Sequence, residues 1–248
     1  MRASGKLAAA AILLGSAVAR AGPPYATDDP EPVEYQHWEL YLGSQSSHDA
    51  DGWSGTAPHL EVNYGVPPTM QLHLVAPLSY IRPAAGQAQY GYGDTEVGIK
   101  CRFIPEGTWM PQVGVFPLLE IPTGSQSRGL GSGMAQLYLP LWLQKRWDAW
   151  TSYGGFGYWF NPGEHNRNWW FFGWQLQRQI SDGLALGAEI FHTTPKDDQG
   201  GAETRFNIGA VVDLSDLHHL LLSVGRGFQG PNMFQSYLAY QLTWGPGE

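Results

Sequence analysis

The chain has 248 residues and carries 14 Lys+Arg against 22 Asp+Glu, a net charge of −8, which argues against a nucleic-acid binder because such a protein needs a basic footprint. Only 15% of residues are charged, whereas 32 are glycine and 11 Trp, 12 Tyr and 10 Phe are present; this balance does not suit a water-exposed globule and does suit a barrel with an apolar outside and aromatic interfacial belts. The single cysteine, Cys101, excludes an intramolecular disulfide.

Arg2 and Lys6 precede an apolar run from Leu7 to Ala19, and Ala19-Arg20-Ala21 places small residues where a signal peptidase reads. The run is too short to cross a bilayer as a helix, so residues 1–21 read as a cleaved signal peptide rather than an anchor. Three of the 14 cations fall in it, which leaves 11 against 22 acids in the rest of the chain. No cysteine follows the cleavage site, so a lipid anchor there is not expected. Residues 22–34 read as a periplasmic N-terminal segment, and residues 35–248 as an outer-membrane β-barrel.

Beyond the signal no stretch is apolar enough for a membrane helix, and period-2 alternation dominates. Leu60, Val62 and Tyr64 alternate with His59, Glu61 and Asn63. Val97, Ile99, Cys101 and Phe103 alternate with Glu96, Gly98, Lys100 and Arg102. Trp170, Phe172, Trp174 and Leu176 alternate with Phe171, Gly173, Gln175 and Gln177. Leu184, Leu186, Ala188 and Ile190 alternate with Ala185, Gly187, Glu189 and Phe191, and Phe206, Ile208, Ala210 and Val212 with Arg205, Asn207, Gly209 and Val211. One face faces lipid and the other a polar lumen.

The pattern predicts about twelve strands, over residues 35–47, 55–66, 69–81, 90–104, 110–121, 134–146, 148–160, 168–180, 183–194, 202–214, 217–227 and 233–244. The fold class is thus all-β, a closed antiparallel transmembrane barrel, with strands about as long as a tilted crossing needs. Long connections, beginning with His48–Ser54, alternate with short ones such as Pro67-Pro68, Pro105–Thr108 and Ser181-Asp182, which places both termini in the periplasm. Pro77, Pro117 and Pro140 fall inside strands, where each removes a ladder donor; bulges or irregularity are expected there. Residues 134–146 break the pattern, because Tyr138 and Trp142 occupy the face opposite Leu137, Leu139, Leu141 and Leu143.

Three stretches together carry a family resemblance: Pro24-Tyr25-Ala26-Thr27-Asp28-Asp29-Pro30 before the first strand, Gly93-Asp94-Thr95-Glu96-Val97-Gly98-Ile99-Lys100-Cys101-Arg102-Phe103, and Glu120-Ile121-Pro122-Thr123-Gly124 ahead of a Gly/Ser-rich loop. In order and spacing they resemble the outer-membrane β-barrel family named for transport in a meta-pathway of phenol degradation. The resemblance runs from about Pro24 to the C-terminus. It implies a barrel that passes small, often aromatic, compounds. It also implies an assembly machinery that reads a terminal aromatic residue; here Trp244 is followed by Gly245-Pro246-Gly247-Glu248.

No covalent chemistry is legible. Gly225-Arg226-Gly227-Phe228-Gln229-Gly230 matches a dinucleotide fingerprint but is followed by a strand pattern rather than a helix, so it reads as a loop. There is no G-x-S-x-G elbow. His218-His219 alternate faces, and His59 and His73, which share the inner parity of neighbouring strands, lack a third ligand, so no metal or other cofactor is expected. Trp38, Trp142, Trp159, Trp169, Trp170 and Trp174 read as interfacial belts, with an aromatic-binding path as the other reading.

The leading expectation is therefore a non-enzymatic channel for small-molecule solutes. Its lumen would be lined by Glu39, Glu61, Asn63, Glu96, Lys100, Arg102, Glu120, Gln175, Gln177, Glu189, Arg205 and Asn207. For Glu96, Lys100 and Arg102, interior ion pairs that fix register are the structural reading beside a role in permeation. Twelve strands enclose a narrow space, which an inward loop or the N-terminal segment would fit as a plug. A non-conducting structural or adhesion barrel and an outer-membrane lipid hydrolase are the alternatives. Expected partners are outer-membrane lipid, the solute and the barrel-assembly machinery, with no nucleic acid.

Overall fold

The computed structural model describes residues 23–246; the expected signal peptide, residues 1–21, lies outside them. Among the described residues the chain forms a meander of antiparallel strands. These are β1 (Trp38–Asp49), β2 (Gly52–Gly65), β3 (Met70–Pro83), β4 (Gln89–Tyr92), β5 (Thr95–Ile104), β6 (Gln112–Val115), β7 (Leu118–Ile121), β8 (Gln136–Trp147), β9 (Trp150–Phe160), β10 (Trp169–Ser181), β11 (Leu184–Thr193), β12 (Glu203–Asp213), β13 (His218–Gln229) and β14 (Phe234–Trp244). β4 and β5 are two pieces of one stave, both on β3, and β6 and β7 are two pieces of another, between β5 and β8. β14 pairs with β1 from Trp38↔Trp244 to His48↔Phe234. That last ladder closes a barrel of twelve staves and, among the described residues, leaves the outer side of the short β4 without a strand partner.

Alternation builds the wall. On β10, Trp170, Phe172, Trp174 and Leu176 are exposed while Phe171, Gly173, Gln175 and Gln177 are buried. The same holds for exposed Leu186 and Ile190 against buried Glu189 and Phe191 on β11. Water would disfavour so continuous an apolar outer surface, and a lipid phase accepts it. At the end where β1 starts, Trp38 stacks on Trp244 at 6.0 Å and meets Tyr64 at 4.3 Å. At the other end Trp53 meets Phe234 at 6.2 Å.

Each of the three expected proline irregularities falls at a seam in the ladder. Pro77 sits where β3 changes partner from β5 to β4. Pro117 occupies the break between β6 and β7. Pro140 faces that same break, because β7 pairs with Gln136–Tyr138 and β6 with Leu141–Gln144, so its missing N–H costs no bond on that side.

The connections differ from expectation in two places. Residues 48–54 are no long loop: β1 and β2 stay paired through His48↔Trp53 and Asp49↔Gly52 and turn over Ala50-Asp51. A paired hairpin satisfies the backbone of this polar stretch whatever the side chains. Residues 105–111 form a longer connection than Pro105–Thr108, so long and short connections do not strictly alternate. The large connections 122–135, 161–168 and 194–202 still share one end, opposite the tight Asp148-Ala149 and Asp182-Gly183 turns and opposite the two ends of the barrel, Trp38 and Trp244. Asp148 holds φ 51°, a left-handed value that Asp tolerates in a two-residue turn.

Candidate functional site

The interior is not an open polar tube. Residues 23–34, expected as part of a periplasmic N-terminal segment and as one candidate for a plug, thread the lumen as a strap. Its backbone is held by the wall: the Ala26 and Thr27 N–H groups each donate to Glu189 at 2.8 Å, the Val33 N–H donates to Gln71 Oε1 at 2.9 Å, and Ser223 Oγ donates to the Pro24 carbonyl at 2.5 Å. Its acids are held as well. Lys100 Nζ lies 2.9 Å from Asp28 Oδ1 and 3.3 Å from Asp29 Oδ2. Glu31 pairs with Arg102 at 3.5 Å and with Arg146, and it accepts from Gln112 at 3.2 Å and Gln144 at 3.0 Å. Asp29 is wholly buried, and that burial pushes its carboxyl well above the usual carboxylate range, against the pull of Lys100.

Inward glycines make room for the strap. A Cβ added at Gly187 would lie 2.5 Å from Tyr25 Oη, and one at Gly114 would lie 2.9 Å from Pro30 Cβ. A segment with so many unpaired backbone groups is stable in a lumen only because the wall supplies donors and acceptors at matching positions.

Large side chains fill a second part of the interior. Phe116, Tyr138, Trp142, Phe171 and Phe191 form one buried cluster, with Trp159 and Trp169 packed against it. Tyr138 stacks on Trp159 at 4.7 Å and Trp159 on Trp169 at 5.4 Å. Trp142, Trp159 and Trp169 therefore do not belong to an interfacial belt, whereas Trp38, Trp170 and Trp174 are exposed on the outside. Parity decides this: Tyr138, Trp142 and Gln144 share a face of β8, and that face is inward.

What remains open lies on the β1–β7 side and reaches round to β12, β13 and β14. One cavity of about 580 Å³ reaches toward the tight-turn end, and its walls include Glu39, Asn63, Lys100 and Arg102. A second, of about 370 Å³, includes Thr56, His59, Glu120 and Asn207. Tyr25, Ala26, Glu61 and Glu96 line both and so ring the waist between them. At that waist His73 Nε2 lies 2.9 Å from Glu96 Oε1, and His73 Nδ1 lies 2.7 Å from Asn63 Oδ1, while Asn63 Nδ2 donates to Glu61 at 2.9 Å.

Eight of the twelve sequence candidates thus border the cavities: Glu39, Glu61, Asn63, Glu96, Lys100, Arg102, Glu120 and Asn207. Gln175, Gln177, Glu189 and Arg205 point inward but line neither. Glu189 is occupied by the strap and by Asn207, Gln175 bonds Gln177, and Arg205 pairs with Glu203 and donates to Gln235. Sequence reasoning missed Asp28, Asp29 and Glu31, although two of these acids stood in the stretch that carried the resemblance. It also missed His73 as a bridge between carboxylates. His59 and His73 have separate partners, His59 bonding Thr56. Among the described residues no group of three or more His, Cys, Asp or Glu is placed to hold a metal ion.

The long-loop end is closed down by local networks. Asp94, at the break between β4 and β5, accepts from the Gly124 N–H at 2.8 Å, the Ser132 N–H at 2.6 Å and the Ser132 hydroxyl at 2.8 Å. Arg128 donates to Gln89 at 2.9 Å and to the Tyr90 carbonyl at 2.8 Å. The 122–135 loop is thereby folded over the β4 edge that no strand covers. Arg167 binds Asp198 at 2.8 Å across two further loops and holds that carboxyl below its ordinary range.

A family model described as "Putative MetA-pathway of phenol degradation" matches residues 54–242. Three solved structures share the architecture. The COG4313 outer membrane channel from Pseudomonas putida F1 is 15% identical, with a TM-score of 0.72 over 87% of this chain and 98% of that one. A KdgM porin in complex with disordered oligogalacturonate is 10% identical, with a TM-score of 0.57 over 83% and 99%. A NanC porin is 8% identical, with a TM-score of 0.56 over 82% and 98%. At these identities the likeness is one of fold. No curated protein matches the chain.

Proposed function

The chain belongs to the family described as MetA-pathway of phenol degradation, and on that premise we propose that it is a bacterial outer-membrane channel for small molecules, without covalent chemistry. The carrying observation is the pair of cavities stacked along one side of the lumen and joined at the Glu61–Glu96 waist. A solute enters among the long loops, passes between the strap and the β1–β7 wall, and leaves at the tight-turn end. The channel and porins of the same architecture support this reading. The family description supports small aromatic compounds as cargo, and the half-apolar interior suits them. Outer-membrane lipid covers the exposed apolar wall, the assembly machinery reads the strand that ends at Trp244, and the tight turns and both ends of the barrel face the periplasm. The lumen-facing candidates act here as selectivity groups.

Planar-bilayer recording on the refolded protein tests the proposal. Discrete conductance steps, with uptake of a small aromatic solute into liposomes, are the expected result. No conductance and no uptake would remove the channel reading and leave a structural barrel.

A further inference from the structure

We propose that the N-terminal strap sets the charge selectivity of the lumen: its carboxylates neutralise the inward cations, and the passage left beside it favours cationic and neutral solutes over anions. This rests on the channel reading above.

Among the described residues, four Lys or Arg side chains of the strands point into the barrel. Lys100 pairs with Asp28 and also reaches Asp29, whose burial favours its neutral form, and Arg102 and Arg146 pair with Glu31. Arg205 pairs with Glu203 on its own strand. Three of the four cations are thus matched by a segment that belongs to no strand. The carboxylates of the open side have no such match. The cavity toward the long loops is bordered by Glu61, Asp94, Glu96 and Glu120 and by no Lys or Arg. His73 is the side chain set between Glu61 and Glu96.

Charges of one sign in a confined space with low-dielectric walls attract counter-ions and repel co-ions. Without the strap the sign would change locally. Lys100 and Arg102 on β5, and Arg146 on β8 beyond the intervening β6–β7 stave, would face water as a basic group in the same lumen as Glu39 on β1, Glu61 on β2 and Glu96 on β5 itself. The two signs would then offset each other. The strap is suited to a standing role because bonds to its backbone hold it as well, through Glu189, Gln71 and Ser223. Removing its acids need not remove it.

The test is the reversal potential across a planar bilayer under a KCl gradient. Unmodified protein is expected to prefer K⁺ over Cl⁻ several-fold. The triple variant Asp28→Asn, Asp29→Asn, Glu31→Gln is expected to lose that preference or invert it, with the heat-modifiable gel mobility of a folded barrel retained. Glu61→Gln with Glu96→Gln, which leaves the strap untouched, is expected to lower the preference without inverting it. This second variant decides the matter if the first fails to fold. Conductance with an anion preference in unmodified protein, or an unchanged preference in these variants, would overturn the proposal and leave the channel intact. Absence of conductance in every protein would overturn both.

Discussion

Replacing Glu189 by Ala should undock the strap without opening the barrel. The carboxylate accepts two backbone N–H bonds at 2.8 Å, from Ala26 and Thr27, and a third bond from Asn207. A hydrogen bond to a charged acceptor contributes about 1.5–3 kcal/mol net, and a buried donor left unpaired costs about 1–3 kcal/mol. The two strap bonds together therefore support about 3–6 kcal/mol of docking, reduced where water enters the vacated space. Glu189→Gln keeps one good acceptor and should cost about half as much. Hydrogen exchange read by mass spectrometry on the strap peptide is the assay. Strap amides should be protected in unmodified protein, exchange about a hundredfold faster or more in Glu189→Ala at 1.36 kcal/mol per decade, and fall between the two in Glu189→Gln. Amides of β10 to β12 should keep their protection, since their ladders do not involve this side chain. Equal strap protection in all three proteins would refute the reasoning, because the strap would then be held by something other than these bonds.

Burial raises Asp29 to about 8, so the docked strap binds a proton more tightly than the free one; its contribution is complete below about pH 4 and is lost as pH rises through about 8. Strap protection factors should fall from about pH 4 to about pH 8 and level off above it, and Asp29→Asn should flatten that dependence. Gly187→Ala places a methyl 2.5 Å from Tyr25 Oη and should loosen residues 25–27 by about 1–3 kcal/mol; a strap as well protected as in unmodified protein would show that the ring has other room. Asp94→Ala removes the acceptor of the Gly124 and Ser132 N–H groups of the 122–135 loop, while the Ser132 hydroxyl keeps the Met134 carbonyl. Trypsin should then cut after Arg128 much faster, whereas an unchanged rate would mean that the Arg128 bonds to Gln89 and Tyr90 hold the loop alone.

The wall was legible and the lumen was not. Period-2 alternation names which residues share a face, and Glu61, Glu96, Glu189 and Asn207 all lie on the face expected. Alternation does not say how full that face is. Tyr138 and Trp142 share the face opposite the leucines of their strand, yet for Trp142 a belt role fits the sequence, and only the closed barrel places both rings in one cluster with Phe171 and Phe191. The strap is the sharper case. Proline-rich and acidic, it has no periodicity to read, so the sequence offers it as a plug only from the width of the barrel and says nothing of which wall residues hold it. Its partners lie far along the chain: Ala26 meets a carboxylate 163 residues away and Asp28 a lysine 72 residues away.

The sequence by itself determined a closed antiparallel barrel of twelve staves and the inward or outward direction of its side chains. Those follow from a two-residue repeat, which is a local property of each strand. Only the tertiary structure decided that a polar strap occupies the lumen, that aromatic rings fill one side of it, and that carboxylates are left facing the other. Those outcomes depend on which staves stand opposite one another once the ring closes, and no local pattern encodes that.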